Sequence, residues 1–282
     1  MNDPLAVIYN EGHWRVNLVS PMFNLQCNKI KLKQYSMKIR QALVSEVAAS
    51  SSSRLDVSIE NLPLLKYSNE DPSGLKITVK NQFKSSDKEV YVAIFLSWGN
   101  GININDETTH LPYMLERGER KVDMAVKNTL LTLFDCMIVP IDFTQGQLLD
   151  FMFNFIENDN SRSSNPFVLK YQTPQVNFMD KITLSFEIGD IRAIWNRVKE
   201  SNINHNKRLQ AYQIILNQIY CMYTLEVTLL QLCEVILPTA EVKHSGMVKM
   251  KTPEIINSVF TVLNDITRER FQLESNFQDP ED

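Results

Sequence analysis

Three segments between Leu55 and Trp98 constrain the fold more than any other feature of the chain. Leu55, Val57 and Ile59 alternate with Asp56, Ser58 and Glu60, and Leu75, Ile77 and Val79 alternate with Lys76, Thr78 and Lys80. A period of two marks a strand buried on one face. Residues 90–98 are almost continuously apolar and read as a central strand covered on both sides. The stretch 61–74, with two prolines and several acids, reads as a loop. The gaps leave no room for crossover helices, so neighbouring strands are expected to be mostly antiparallel.

The flanking segments follow the same logic. Trp14, Val16 and Leu18 alternate with Arg15 and Asn17, a strand that Ser20-Pro21 ends. From about Asn28 the period becomes helical: Leu32, Tyr35, Ile39, Leu43 and Val47 share one face. A polar break at 50–53 and a polar loop at 99–110 punctuate the first half. Residues 119–134 read as a helix with Val122, Ala125, Val126, Leu130, Leu133 and Phe134 inward, and 136–141 as a short strand. Thr144 and Gln147 have capping-box spacing ahead of Leu148, Phe151, Met152 and Phe155. Beyond a polar, serine-rich stretch come strands at 167–171 and 181–188, with Ile182, Leu184, Phe186 and Ile188 on one face. Helices at 189–200 and 207–223 follow, then strands at 225–237 and 244–250 about Pro238. Thr252-Pro253-Glu254 opens a last helix to about Phe271. With 282 residues, the expectation is an α+β protein in two halves. These are 1–157 and 166–273, separated by a mobile loop at 158–165 and followed by an acidic disordered tail at 274–282.

A search for chemistry assigns no catalytic, cofactor-binding or metal-binding residue. Gly99 and Gly101 begin a G-x-G, but Ile104 stands where a dinucleotide fingerprint needs its third glycine. Asn103, Asn105, Asp106 and Glu107 lack the spacing of a calcium loop and suit a polar hairpin. His13, His110, His205 and His244 are isolated. The cysteines, Cys27, Cys136, Cys221 and Cys233, are scattered and read as reduced thiols, with Cys136 buried and inert at a helix–strand junction. Trp14, Phe134, Phe151, Phe186 and Trp195 sit in apolar periods and read as core. Trp98 is either a lid on the core or an exposed contact. No signal peptide is visible, and the apolar runs are too short to span a bilayer.

The one feature that asks for a function is the outer face of the first helix. Lys29, Lys31, Lys33, Lys38 and Arg40 stand without an acid until Glu46, in a chain whose net charge is −4. A lysine-rich solvated face is common. So one-sided a patch also suits a polyanion such as DNA.

Four blocks resemble the centromere protein L (CENP-L) family of the inner kinetochore. They are the opening stretch, where the Trp14-led strand runs into Val19-Ser20-Pro21-Met22-Phe23 and then the helix core Leu32-Lys33-Gln34-Tyr35-Ser36; residues 131–140 (LTLFDCMIVP); residues 168–188; and Gly246-Met247-Val248-Lys249-Met250. The resemblance implies a fold like that of the RdgC recombination-associated proteins, and a non-enzymatic subunit at the nuclear centromere. It further implies a heterodimer with a CENP-N-like protein and contacts to other inner-kinetochore subunits. A basic surface shared with the partner, here Lys29, Lys31, Lys33, Lys38 and Arg40, would lie along centromeric nucleosomal or linker DNA. The sequence leaves open whether isolated chains form a homodimer. The alternative is a free-standing nucleic-acid-binding protein of recombination or repair.

The family's mode of pairing, a sheet extended across two chains, directs attention to the late strands. Val227, Leu229, Leu230, Leu232, Val235 and Ile236 are more apolar than one buried face needs, and Gly246 and Lys249 suit an edge strand. The expected docking residues are Leu225, Val227, Leu229, His244, Gly246, Met247, Val248 and Lys249.

Overall fold

A computed structural model describes residues 3–9, 12–46, 54–82, 87–100, 108–159, 165–173, 181–201 and 206–276. Outside them lie Val47, the break at 50–53, the tip of the 99–110 loop, His205, most of 158–165 and the end of the tail. The elements run α1 (Ala6–Tyr9), β1 (His13–Val19), β2 (Met22–Phe23), α2 (Lys29–Glu46), β3 (Arg54–Leu62), β4 (Gly74–Gln82), β5 (Asp87–Leu96), β6 (Thr108–Thr109), β7 (Tyr113–Gly118), α3 (Arg120–Phe134) and β8 (Ile138–Pro140). Then follow α4 (Gln145–Asn158), β9 (Phe167–Gln172), β10 (Lys181–Phe186), α5 (Ile188–Glu200), α6 (Lys207–Tyr223), β11 (Gln231–Ile236), β12 (Ala240–Lys243), β13 (Met247–Met250) and α7 (Pro253–Asn276). The fold is α+β with antiparallel strand pairs, as the sequence predicts. The chain divides at Ile141, with Leu5–His13 and everything from Asp142 in the second unit. That is earlier than the expected 158–165, because α4 packs against α7, β11 and β12 of the second unit.

In the first unit the strands lie in the order β1-β7-β5-β4-β3, with β8 also on β1, and each pair is antiparallel. The three consecutive strands expected between Leu55 and Trp98 are β3, β4 and β5, in sequence order. One face is packed by α2 and α3, whose Leu32, Ile39, Leu43, Val122, Val126 and Leu130 meet Leu55, Val57, Ile77 and Ala93 in one core. Trp98 proves to be a lid: it is buried, holds a positive φ of 49° and packs 6.0 Å from the Tyr67 ring. Gly118 ends β7 at φ 131°, where a Cβ would stand 2.3 Å from the Val90 carbonyl oxygen. Only glycine fits there.

The central strand β7 is absent from the sequence reading, and its charge explains why. Glu116 is 3% exposed, and Asn17, expected to face outward from β1, is fully buried. Lys127 on α3 holds both: its Nζ lies 2.6 Å from Glu116, 3.0 Å from Asp123 and 3.2 Å from the Asn17 side-chain oxygen. The Tyr91 hydroxyl donates to Glu116 at 3.0 Å. Burial pushes the Glu116 pKa up, the Asp123 neighbour adds to that, and Lys127 opposes both. Removing one partner of a buried charge network leaves the others uncompensated. Lys127→Met is therefore expected to cost about 3–5 kcal/mol, read as a lowered denaturant midpoint at constant slope.

In the second unit the order is β10-β9-β11-β12-β13, again antiparallel throughout. The Thr144–Gln147 capping box forms with both of its bonds. Phe151 and Phe155 face inward from α4 as expected, and Leu149, Phe153 and Ile156 are buried too, so the helix is enclosed on most sides. Phe143 meets Phe151 edge-on (4.8 Å between centroids), and Phe153 packs tilted on Trp195 (4.4 Å). The strand expected at 225–237 begins only at Gln231. Before it, Thr224 caps α6 in the left-handed region and Val227–Leu229 forms a 3-10 turn closed by Leu230 N–H to the Val227 carbonyl at 3.0 Å. The strand expected at 244–250 is shortened to β13, after a turn with Gly246 at φ 72°, and β12 forms at Ala240–Lys243, where the sequence reading placed only the turn about Pro238. The last helix continues to Asn276, so residues 274–276 are helical where a disordered tail was expected.

Across this sheet Glu234, 3% exposed, is ringed by Lys170 at 3.1 Å, Lys243 at 3.4 Å and Lys181 at 3.6 Å. Lys243 also reaches Glu241 at 2.9 Å, and His13 reaches Glu241 at 2.9 Å. Partial burial alone would raise the Glu241 pKa; bonds from Lys243 and His13 outweigh it and hold the carboxyl down at about 2. The folded value lies below the unfolded one, so the stability Glu241 contributes is present above about pH 4.5 and is lost as pH falls toward about 2. In thermal melts the midpoint of Glu241→Gln should therefore fall less steeply than that of the parent across this window, with the larger deficit at neutral pH.

Candidate functional site

Helix α2 begins where the sequence places it. The Asn28 side chain accepts from Lys31 N–H at 2.9 Å, and its carbonyl accepts from Leu32 N–H at 3.0 Å, which satisfies two first-turn donors. Leu32, Ile39 and Leu43 are buried, and half-buried Tyr35 meets Phe134 edge-on at 5.0 Å. The five basic residues do not form a single stripe. Successive positions turn by about 100°, which puts Lys29, Lys33 and Arg40 on one flank and Lys31 and Lys38 on the other. Between them runs an exposed apolar seam of Ile30 (73% exposed), Met37 (56%) and Val44 (55%).

The charges on α2 run against the helix dipole. Its first turn has no acid and carries Lys29 and Lys31, while its last turn carries no base. Cations at a helix N-terminus are unfavourable by about 0.3–1 kcal/mol each. None of the five pairs with an acid among the described residues. Charge placed at a cost to the helix and left unneutralised is available for an external anion.

Beside α2 a groove of about 650 Å³ runs along β3, lined by Lys29, Leu32, Lys33, Val57, Ile59 and Asn61 among others. Strand β3 pairs with β4 alone among the described residues, so it is the open edge of the first unit's sheet. In the second unit the open edge is β10, which pairs with β9 alone among the described residues.

The residues expected to dock a partner scatter. Leu225, Val227 and Leu229 lie in and before the 3-10 turn, not in a strand: Val227 is buried and Leu229 is 82% exposed. Strand β11 is filled on both sides, by β9 and β12, and cannot take another strand. His244 and Gly246 belong to the β12–β13 turn; Met247, Val248 and Lys249 are in β13, with Val248 fully buried. The sequence missed β10 as an edge because order across a sheet is a tertiary property. Its plain alternation of exposed Lys181, Thr183 and Ser185 with more buried Ile182, Leu184 and Phe186 was the available signal.

No grouping of three His, Cys, Asp or Glu among the described residues is placed to hold a metal, and no described helix is long and apolar enough to cross a membrane. Burial pushes the Cys136 thiol up to about 11, which leaves it a poor nucleophile. No curated protein gives a significant match to the chain. A model of the centromere protein L family matches residues 8–276, and the chain therefore belongs to the CENP-L family of centromere and kinetochore subunits.

Proposed function

We propose that this chain is a non-enzymatic subunit of the inner kinetochore that pairs with a CENP-N-like protein and helps hold centromeric chromatin in the nucleus. The observation that carries the pairing is the open β10 edge. A strand whose peptide groups lack a neighbour on one side can accept a second chain, with backbone hydrogen bonds giving affinity and alternate side chains giving specificity. The partner's strand is assigned to β10, in place of the late strands that the sequence favoured. Co-expression with a CENP-N-like chain should yield a stable heterodimer. In it, those amides of 181–186 that point away from β9 should exchange with deuterium far more slowly than in the isolated protein. A heterodimer with β10 exchange unchanged would move the interface elsewhere. Tight DNA binding by the isolated chain, with no partner recovered, would favour a free-standing nucleic-acid-binding protein.

Binding of DNA is assigned to Lys29, Lys31, Lys33, Lys38 and Arg40. Its support is their unpaired charge, set against the dipole of the helix that carries them. Lys31→Glu, Lys38→Glu and Arg40→Glu together should leave the melting transition near that of the parent, since surface changes away from special features cost little. DNA affinity of the heterodimer should fall. The slope of log affinity against log salt should flatten by about 0.9 for each phosphate no longer neutralised. An unchanged salt titration would make these residues an ordinary solvated face.

A further inference from the structure

The edge of the first unit's sheet has the features of a strand acceptor. Proteins usually blunt an exposed edge with lysines, a proline, a bulge or sheer shortness. Strand β3 carries Arg54, Asp56 and Glu60 but has none of the other defences. It is nine residues long, contains no proline or lysine, and pairs with β4 through nine consecutive positions without a register shift. Its α2-side residues, Val57 and Ile59, lead into a groove of about 650 Å³ whose other wall is α2. Asn61 lines the same groove, and its side-chain oxygen is buried there without a hydrogen-bond partner. A buried acceptor left unmatched costs free energy that an incoming N–H would recover.

We infer that β3 binds an extended segment of another protein, laid antiparallel or parallel along the strand beneath the N-terminal half of α2. Its chemistry follows from the groove. On the side facing α2 the segment carries apolar residues, which cover Leu32, Val57 and Ile59, and carboxylates, which meet Lys29 and Lys33. On the opposite side it is polar and uncharged, because Asp56 and Glu60 flank Ser58 along that face of β3 and would repel acids set beside them; Ser58 and Glu60 also border the groove, so the segment's carboxylates are set toward Lys29 and Lys33 and away from Glu60. A second copy of this chain fits poorly: two-fold pairing of β3 about Ser58 sets Asp56 against Glu60 in both directions. Duplex DNA matches neither the apolar floor nor the free peptide edge; the segment would compete with it only for Lys29 and Lys33, leaving Lys31, Lys38 and Arg40 to DNA. Strands β3 and β10 are different edges, so binding of this segment does not compete for the backbone groups of β10.

The test uses the full chain and a fluorescein-labelled ten-residue peptide. The peptide alternates Thr with Val and Glu, so that all apolar and acidic residues fall on one face. Binding is followed by anisotropy, and its place by deuterium exchange. The inference expects saturable binding, with slower exchange confined to amides of β3. Lys29→Glu with Lys33→Glu should weaken binding about tenfold, the scale of two charge pairs at a rim. Arg120→Glu with Lys121→Glu, exposed charges on α3, should not. N-methylation of alternate peptide amides, which removes ladder donors without touching the protein, should abolish binding in one of its two phases. The inference is overturned by any of four results. These are no binding, binding without protection of β3, equal affinity for the peptide with Lys in place of Glu, or protection of β3 by self-association or by a DNA duplex.

Discussion

An open antiparallel sheet has to stop somewhere, and the strand at which it stops carries a row of peptide groups with no partner. That constraint decides where this protein offers free backbone. In the first unit pairing ends at β3 and in the second at β10, among the described residues. Both lie at the rim of a well-packed sheet, so the edge is held rigid by the strands behind it. Rigidity matters, because a pre-formed edge spares most of the ordering cost that a binding strand would otherwise meet. The two edges differ in what surrounds them. Strand β10 offers an alternating polar face, while β3 borders a groove with basic and apolar walls.

Buried charge is the second organising feature. Each unit encloses a glutamate that the solvent hardly reaches, Glu116 in β7 and Glu234 in β11. In each case the compensation comes from residues distant in sequence: Lys127 on α3 for the first, Lys170, Lys181 and Lys243 on three neighbouring strands for the second. Such groups stabilise little by themselves, since desolvation offsets much of the attraction. What they do is penalise wrong registers. A one-residue slip of β7 would send Glu116 to the opposite face, away from Lys127. The lysine cage about Glu234 likewise ties β9, β10, β11 and β12 into one register. The edge strand β10 is thereby fastened to the sheet through Lys181 as well as through its backbone.

Helix α2 shows how one element can serve a core and a surface with opposite requirements. Its inner face follows helical spacing and packs as hydrophobic periodicity demands. Its outer face ignores what would stabilise an isolated helix, with cations in the first turn and an apolar seam in water. Local rules of this kind are broken where binding is at stake. That argument supports a ligand for the helix more firmly than net charge does, since the chain as a whole is acidic.

The sequence by itself determined what depends on neighbours along the chain. Alternation gave β1, β3, β4 and β10, and a nearly continuous apolar run gave β5; spacing of three and four gave α2, α3 and α6, the last at its observed ends; Thr144 and Gln147 set a helix start through bonds to residues three apart. Short gaps dictated antiparallel pairing, and the four motif blocks led to the CENP-L family. What the sequence could not determine depends on partners far away in it. Glu116 and Arg117 masked β7, because a strand that buries the first and half-buries the second is tolerable only once Lys127 and the Trp14 ring are in place beside them. The apolar run at 225–230 looked like a strand, yet Val227 is drawn into the core while Leu229 is left in solvent, a local 3-10 turn that no periodicity announces. Which strand becomes an edge is decided last of all. A strand's pattern records how much of each face is buried, but its edges are backbone, and backbone carries no sequence signature until the whole sheet is assembled.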